Sequence, residues 1–195
     1  MRGRINNITK KELGYIIGLY IGDGYSNYNK NDRHYRVEFH LNSERDKDIL
    51  DYTKLILSKM GFKFFLLKDK RGNSIKIYVN SKELMLWINQ EVKLLKDKRL
   101  TKDCKLGLLS GFIDAEGWVK KGDIVVTQKN KQIILFFECI AKQFSVAGKL
   151  WKTKNYKGKG YVWRLRIPTR FKYLHHNSLK VKRVYGNLAV YHSEH

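Results

Sequence analysis

Two apolar stretches with helical periodicity dominate the pattern of hydrophobic and polar positions along the chain. The first runs from Leu13 to Ile21 and the second from Leu106 to Ile113. In each stretch a small residue recurs at every fourth position, which places the small residues on one stripe of a helix. They are Gly14, Gly18 and Gly22 in the first stretch and Gly107, Gly111 and Ala115 in the second. Because such stripes let helix backbones approach closely, we expect the two helices to pack on each other.

The two stretches are copies of one pattern. Every matched pair is separated by 93 residues, as Gly14 and Gly107 show. Each copy ends in a carboxylate followed by a glycine, Asp23-Gly24 in the first and Glu116-Gly117 in the second. A glycine at that place is typical of a helix C-terminus. The repetition predicts two related halves, residues 1–100 and 101–195.

After each of these helices, apolar and polar residues alternate, which is typical of half-buried strands. Each half is therefore predicted to have the order αββαββα, and the fold class is α+β. In the first half we predict a helix that ends near Asp23, strands at 25–29 and 35–41, a helix at 44–60 capped by Ser43, strands at 62–68 and 74–80, and a helix at 82–89. In the second half we predict strands at 118–121 and 124–128, a helix at 131–147 closed by Gly148, strands at 149–154 and 161–167, and a helix from Thr169.

The sequence patterns that cap the N-termini of the two repeated helices differ. Thr9 and Glu12 have the spacing of a capping box, in which each side chain binds a backbone N–H group near the start of the helix. Thr101 can cap the second helix, but the matching glutamate is missing there.

Composition indicates a globular protein that binds a polyanion. The chain has 195 residues, of which 43% are apolar, enough for one compact domain or two small ones. Forty Lys and Arg residues against eighteen Asp and Glu residues give a formal net charge of +22, and aromatic residues are interspersed among the basic ones. This pattern favours a folded nucleic-acid-binding surface.

Other function classes find little support. No apolar run is long enough to span a membrane, and the first residues do not have the pattern of a signal peptide, so we expect an intracellular protein. Cys104 and Cys139 lack the paired spacing of a zinc site and are interpreted as structural thiols.

The repeated acids suggest a metal centre. If the two helices run parallel, Asp23 and Glu116 lie together at their C-terminal ends, where the helix dipoles disfavour negative charge. Two such charges about 4 Å apart repel by roughly 4 kcal/mol at an effective dielectric constant near 20. A divalent cation would relieve the repulsion, with the carbonyl groups of Gly22 and Ala115 as further oxygen ligands.

With these acids, the chain resembles the LAGLIDADG homing endonucleases of the single-chain, two-repeat type. Residues 109–117, Leu-Ser-Gly-Phe-Ile-Asp-Ala-Glu-Gly, are similar to the family signature, with Glu116 as its penultimate acid and Asp23 at that place in the first copy. The resemblance implies two antiparallel sheets that form a DNA-binding saddle, with the signature helices at the interface. It also implies hydrolysis of both strands of a long asymmetric double-stranded DNA target, leaving 3′ overhangs.

The resemblance extends to cofactors, partners and further residues. It implies Mg²⁺, with Mn²⁺ as a substitute, and a monomer without an obligate protein partner. Family members often carry a polar or basic residue near the metal-bound water, for which Lys129 is the candidate, preceded by Gln128. The first half has Leu41 and Asn42 there, so Asn42 is its catalytic candidate. Asp114 corresponds to Ile21, and we expect it to make a polar helix contact rather than to act in catalysis.

Candidates for DNA contacts lie on the outward positions of the predicted strands and in the basic turns. They are Tyr25, Asn27, Asn29, Arg33, Arg36, Glu38, His40, Lys68, Lys70, Arg71, Lys76, Tyr78, Asn80, Lys120, Thr127, Lys152, Lys154, Arg164 and Arg166. Such residues can bind base edges or phosphates. Two other functions are compatible with the same surface, namely a maturase that binds intron RNA and a DNA-binding protein without catalytic activity.

Overall fold

The computed structural model describes residues 7–29, 34–69, 72–95, 99–120, 123–146, 148–155, 160–168, 174 and 177–185. Contacts divide the chain into two compact units, residues 1–111 and 112–195. Each unit contains one four-stranded antiparallel sheet with helices, so the predicted α+β class is confirmed. The repeat boundary after residue 100 stays a prediction.

The elements of the two units follow the same order. The first unit contains α1 (Lys10–Asp23), β1 (Gly24–Asn29), β2 (His34–Asn42), α2 (Lys47–Lys59), β3 (Phe65–Lys68), β4 (Ser74–Asn80), α3 (Lys82–Leu94) and the start of α4 (Lys102–Glu116). The second contains the end of α4, β5 (Gly117–Lys120), β6 (Asp123–Gln128), α5 (Lys131–Gln143), β7 (Leu150–Lys154), β8 (Tyr161–Pro168) and α6 (Leu179–Tyr185). Among the described residues, no helix combines the length and apolarity needed to cross a membrane.

Strand order is the same in both sheets, β1-β2-β4-β3 in the first and β5-β6-β8-β7 in the second. In each unit the strand that directly follows the signature helix lies at an edge and pairs with the next strand. Gly24 pairs with Phe39, and Gly117 pairs with Val126. Gly24 and Phe39 of the first unit therefore correspond to Gly117 and Val126 of the second.

Glycines bring the backbones of α1 and α4 into contact within the first unit. A Cβ atom added at Gly14 would lie 2.1 Å from the carbonyl oxygen of Cys104, and one at Gly107 would lie 2.1 Å from that of Lys11. One at Gly111 would lie 2.1 Å from the carbonyl oxygen of Tyr15. Residues later in α1 contact residues later in α4, so the two helices run parallel up to residue 111. The predicted packing of the glycine stripes is confirmed over this part of α4.

The capping box at the start of α1 forms as predicted. Glu12 accepts a hydrogen bond from the backbone N–H of Thr9 at 2.8 Å, and Thr9 Oγ1 accepts one from the backbone N–H of Glu12 at 3.1 Å. The ammonium of Lys59, the last residue of α2, pairs with the same buried carboxylate. Burial acts to raise the pKa of Glu12, but the hydrogen bonds from Lys59 and Thr9 outweigh it and hold the pKa below its ordinary value. At α4, Thr101 Oγ1 accepts a hydrogen bond from Cys104 N at 3.3 Å, as expected.

Several predicted boundaries are wrong. Helix α2 begins at Lys47 rather than residue 44, because the side chain of Asn42 accepts hydrogen bonds from two backbone N–H groups and forms a turn before it. Helix α5 ends at Gln143 rather than 147, since the chain leaves the helix through Ser145 at a φ of 58°. Strand β3 begins at Phe65 rather than 62, and α3 continues to Leu94. The predicted helix from Thr169 begins outside the described residues.

Candidate metal centres and nucleic-acid face

Glu116 is the last residue of α4, and an amide side chain is held beside it. Gln128, at the end of β6, directs its Nε2 at Glu116 Oε1 over 3.4 Å. The other end of that amide is fixed, because Gln128 Oε1 accepts hydrogen bonds from the backbone N–H groups of Lys129 at 2.8 Å and Asn130 at 3.2 Å. The turn after β6 therefore orients Gln128 so that its donor group faces the carboxylate.

A lysine ammonium lies against the carbonyl groups around Glu116. Lys180 Nζ donates hydrogen bonds to the carbonyl oxygen of Ala115 at 3.0 Å and to that of Gly117 at 3.2 Å. The last carbonyl groups of a helix lack partners within the helix and carry the negative end of its dipole. This end of α4 therefore favours a cation, and Lys180 provides one.

Asp114 fixes the position of Lys180. Its fully buried carboxylate accepts hydrogen bonds from Ser178 Oγ at 2.6 Å, Leu179 N at 2.9 Å and Lys180 N at 2.9 Å. These bonds hold the start of α6 against α4. The expectation that Asp114 makes a polar helix contact agrees with this geometry.

The oxygen atoms at the end of α4 are suitable ligands for a hard divalent cation. A carboxylate and a backbone carbonyl are the oxygen ligands that such ions take, and the Lys180 ammonium is a stand-in cation on that carbonyl. Within the described residues no group of three or more His, Cys, Asp or Glu side chains could hold a metal ion. Glu116 and Ala115 can therefore provide part of a ligand set that carbonyl, water or phosphate oxygens would complete.

Asp23 is the last residue of α1, and the contacts described at this end of the helix involve other residues. Three elements are tied together near it, because Tyr20 donates a hydrogen bond to Asn89 Oδ1 at 3.0 Å and Asn89 donates one to Ser26 Oγ at 3.2 Å. Burial raises the pKa of the Tyr20 phenol, and the hydrogen bond with Ser26 opposes that shift. The strand register places Leu41, which is buried, at the position that Gln128 occupies in the second unit.

The other two catalytic candidates occupy matched register positions with unlike roles. Asn42 Oδ1 accepts hydrogen bonds from Glu44 N at 3.0 Å and Arg45 N at 2.9 Å, so it stabilises the turn before α2. Lys129 is exposed beyond the end of β6. The catalytic roles of Asn42, Gln128 and Lys129 stay predictions.

Most candidates for DNA contacts in the first unit share the outer face of its sheet. Val37, Phe39 and Ile77 are fully buried on the other face. Cross-strand pairing then places these side chains together on the outer face: Tyr25, Asn27, Asn29, Arg36, Glu38, His40, Lys76, Tyr78 and Asn80. Five of the residues on and beside this face, Asn27, Asn29, His34, Arg36 and Glu38, line a depression of about 330 Å³.

One carboxylate organises the centre of this face. Glu38 lies 3.1 Å from His40 Nε2, 3.4 Å from Lys76 Nζ and 3.6 Å from Arg36 Nη1. The Arg36 guanidinium also lies over the Tyr78 ring at 4.4 Å, and Phe65 stacks on Tyr78 with ring centroids 5.3 Å apart. The face presents ordered donors beside an acceptor, which is the mixture that direct reading of base edges requires.

The outer face of the second sheet contains Thr127, Arg164 and Arg166, because Thr127 pairs with Arg164 and Val125 with Arg166. Arg166 forms an ion pair with Asp123. Lys152 and Lys154 lie on the opposite face, since they pair with Trp163 and Tyr161. In the first sheet, Lys68 likewise pairs with Ile75 and lies on the helix side of the sheet.

Some predicted residues lie outside the described part, and others were missed. Arg33, Lys70, Arg71 and the side chain of Lys120 are outside the described residues. Sequence reasoning missed Lys180, Phe65 and Asp123. Lys180 is one of forty basic residues, and no spacing signal separates it from the rest. The outward position of Phe65 could have been inferred only with the correct strand register.

Residues 103–176 match the sequence model of the family described as "LAGLIDADG-like domain". Residues 103–176 are therefore similar to a LAGLIDADG-like domain. The matched region includes the second signature copy and all four strands of the second sheet. The resemblance to the LAGLIDADG family, inferred from the repeated signature, is confirmed.

Solved structures share the fold of this chain. A crystal structure of I-DmoI in complex with DNA and calcium matches 91% of this chain and 98% of its own, with a TM-score of 0.73 at 18% identity. Full-length DUF199/WhiA from Thermatoga maritima matches 93% of this chain and 61% of its own, with a TM-score of 0.62 at 10% identity. At these identities the likeness establishes the fold alone.

Curated relatives of this chain are uncharacterised proteins of Methanocaldococcus jannaschii. MJ0398 is 26% identical over 162 residues, 78% of this chain and 58% of the relative. MJ0314 is 27% identical over 180 residues, 82% of this chain and 64% of the relative. The chain thus spans about three fifths of the length of the curated relatives it matches.

Proposed function

We propose that the chain is a site-specific DNA endonuclease that needs a divalent metal and hydrolyses both strands of a long, asymmetric target, leaving 3′ overhangs. The observation that carries this proposal is the end of α4. There a carboxylate, an oriented amide and cation-binding carbonyl groups converge at the penultimate acid of a LAGLIDADG signature. The same acid position is repeated as Asp23 at the end of α1.

Each acid would hold a divalent ion, Mg²⁺ or Mn²⁺, together with the carbonyl group before it, that of Gly22 or Ala115. A bound metal of this kind polarises the scissile phosphate, lowers the pKa of the attacking water and stabilises the leaving oxygen. Glu116 and Asp23 anchor that chemistry through their negative charge. Gln128 fixes the orientation of the Glu116 carboxylate, and the exposed Lys129 could accept or donate a proton at the water.

The outer faces of the two sheets would bind the duplex. Their side chains alternate between cationic groups for phosphates and ordered polar groups for base edges, as around Glu38. The high net charge of +22 supports a polyanionic partner. The fold shared with I-DmoI, which has been crystallised with DNA and with calcium or manganese, supports double-stranded DNA and a divalent ion as the ligands.

The test is selection of cleaved targets from a randomised duplex library with Mg²⁺. The wild-type chain is compared with an EDTA control and with the Asp23→Asn, Glu116→Gln double variant. A matched control carries Asp51→Asn and Glu138→Gln, which remove the same charges from carboxylates that pair with Lys54 and Lys142 on the helices α2 and α5.

We expect one cut site that needs both metal and the two signature acids, and that the matched control still cleaves. Absence of cleavage with Mg²⁺, Mn²⁺ or Ca²⁺, in a folded chain that still binds nucleic acid, would contradict the proposal. Structured intron RNA and uncut duplex would then be compared as ligands, which separates a maturase from a catalytically silent DNA-binding protein.

A further inference from the structure

The strongest unexplained contact in the second unit is the one between Lys180 and the end of α4. Its ammonium makes two hydrogen bonds to backbone carbonyl groups, at 3.0 Å to Ala115 and 3.2 Å to Gly117. An ammonium has three donors and no acceptor, so it places a positive charge against both oxygens and takes one lone pair of each. The Ala115 carbonyl is also the proposed metal ligand next to Glu116.

We propose that the Lys180 ammonium is an internal competitor for the divalent ion at the Glu116 centre. The inference rests on the proposed metal site. A hard divalent ion held by Glu116 would take the Ala115 carbonyl oxygen as a further ligand, and the ammonium now donates a hydrogen bond to that oxygen. Because two positive charges that close together repel strongly, the ion and the ammonium exclude each other, and metal binding displaces Lys180 from this carbonyl.

The competitor is tethered rather than free. Asp114 accepts the backbone hydrogen bond of Lys180 and two further bonds from residues 178 and 179, which fixes the start of α6. A tethered group has a high effective concentration at its site, so it competes far better than a cation in solution. The contact lies within the second unit, so the inference concerns the Glu116 centre alone.

The test measures metal binding by the full chain without DNA, so it does not depend on cleavage. Trp118, two residues after Glu116, is 57% exposed and can sensitise the luminescence of bound Tb³⁺. Mn²⁺ then competes with Tb³⁺, which gives the affinity for a divalent ion. Wild type is compared with Lys180→Met, with Lys180→Gln and with Lys182→Met, a matched removal of charge from an exposed residue of the same helix.

Both Lys180 variants should bind Mn²⁺ at least about tenfold more tightly than wild type, because one positive charge leaves the site. Lys182→Met should stay within about twofold. Glu116→Gln added to Lys180→Met should remove the gained affinity, which assigns it to this centre. Circular dichroism spectra identify the variants that fold. Two different substitutions of Lys180 are used so that the test remains possible if one of them does not fold.

Unchanged, weaker or undetectable Mn²⁺ binding by folded Lys180 variants would overturn the inference, since the lysine would then serve only as a helix cap. The endonuclease proposal can be wrong independently of this inference. If affinity rises as expected but wild type cuts no DNA, the competition stands and the endonuclease proposal falls. If wild type cuts DNA and affinity does not change, only the competition falls.

Discussion

At the end of α4, Glu116 shares its surroundings with the amide of Gln128 and with the carbonyl groups that bind Lys180. At the end of α1, Asp23 lies near a network of Tyr20, Ser26 and Asn89, and a buried leucine takes the register position of the amide. The two helices have the same acid position, the same following glycine and the same strand order behind them. The residue at the register position beside the acid differs, since it is Gln128 in the second unit and the buried Leu41 in the first.

The comparison shows which features the two copies of the repeat share and which they do not. Both copies retain the glycines that let helix backbones touch and the carboxylate at the helix end. Both helices begin with a threonine cap, but only α1 adds a buried glutamate at the cap, and the position of Gln128 beside Glu116 is taken by a buried leucine in the first unit. If both acids bind metal, the two centres should need their acids equally and depend unequally on neighbouring side chains. The predictions below test that statement.

The largest effect is expected from the shared acids. Asp23→Asn and Glu116→Gln should each lower the rate of double-strand cleavage by at least about a thousandfold, because each removes the anionic ligand of a metal that stabilises charge in the transition state. Binding of the target should change less than about threefold. The measurement is single-turnover cleavage beside an electrophoretic binding assay, with a duplex labelled on both strands.

Matched controls for these variants are Asp51→Asn and Glu138→Gln, which change net charge equally at carboxylates that pair with Lys54 in α2 and Lys142 in α5. Each control should cleave within about twofold of wild type. A signature variant that cleaves both strands at the wild-type rate would refute the metal role of that acid and break the equivalence of the two copies.

The shared glycines should be next in effect. Gly107→Ala would bring a Cβ atom to 2.1 Å from the carbonyl oxygen of Lys11 and 2.8 Å from Tyr15 N, both backbone atoms that no side-chain rotation can move. We expect a loss of about 3 kcal/mol in the free energy of unfolding, the upper part of the range for overpacked sites. The measurement is urea denaturation followed by circular dichroism.

Gly72→Ala is the control for that substitution, because an added Cβ atom there meets nothing within 4 Å. Its free energy of unfolding should stay within about 0.5 kcal/mol of wild type. Equal effects at the two glycines would show that the α1 and α4 backbones are not in contact at Gly107.

Much of this architecture follows from the sequence, because its strongest signals are local or repeated. The alternation around Val37 and Phe39 predicted a strand with the correct inner face, and the Thr9 and Glu12 spacing predicted a cap that forms. Errors arose where one side chain competes for backbone groups, as Asn42 does before α2. Lys180 could not be found, since its role depends on a contact with Ala115 between residues 65 positions apart.

A smaller effect should separate the two centres. Gln128→Leu gives the second unit the residue that the first has at this register position, and it removes the donor beside Glu116. Loss of a group that orients a metal ligand typically costs about 10- to 100-fold in activity or metal affinity. We therefore expect one strand of the target to be cut about 10- to 100-fold more slowly, and the other within about threefold of wild type.

Strand-resolved gels of a nicked and a linear product measure this effect. The reciprocal variant, Leu41→Gln, tests whether an amide is sufficient at the first centre. For this variant, the ratio of the cleavage rates of the two strands should stay within about threefold of the wild-type ratio. Leu41 is buried, so an amide at its position loses apolar packing. Equal slowing of both strands by Gln128→Leu would show that the two centres are not independent.

The smallest effect concerns the unequal starts of the two signature helices. Glu12→Gln should lower the free energy of unfolding by about 1 to 2 kcal/mol at pH 7, since it weakens the cap of α1 and removes the partner of Lys59. Because folding lowers the pKa of Glu12, its contribution is present above the ordinary value of 4.5 and is lost as the pH falls through the folded-state pKa.

Wild type should therefore lose stability between about pH 5 and pH 3 more steeply than Glu12→Gln, so that the two curves converge in acid. Urea denaturation at a series of pH values measures this difference. Asp51→Asn, at an exposed carboxylate paired with Lys54, is the control and should keep the steep wild-type slope, because solvent screens surface pairs. Parallel wild-type and Glu12→Gln curves would place the acid sensitivity outside α1 and remove this difference between the two helices.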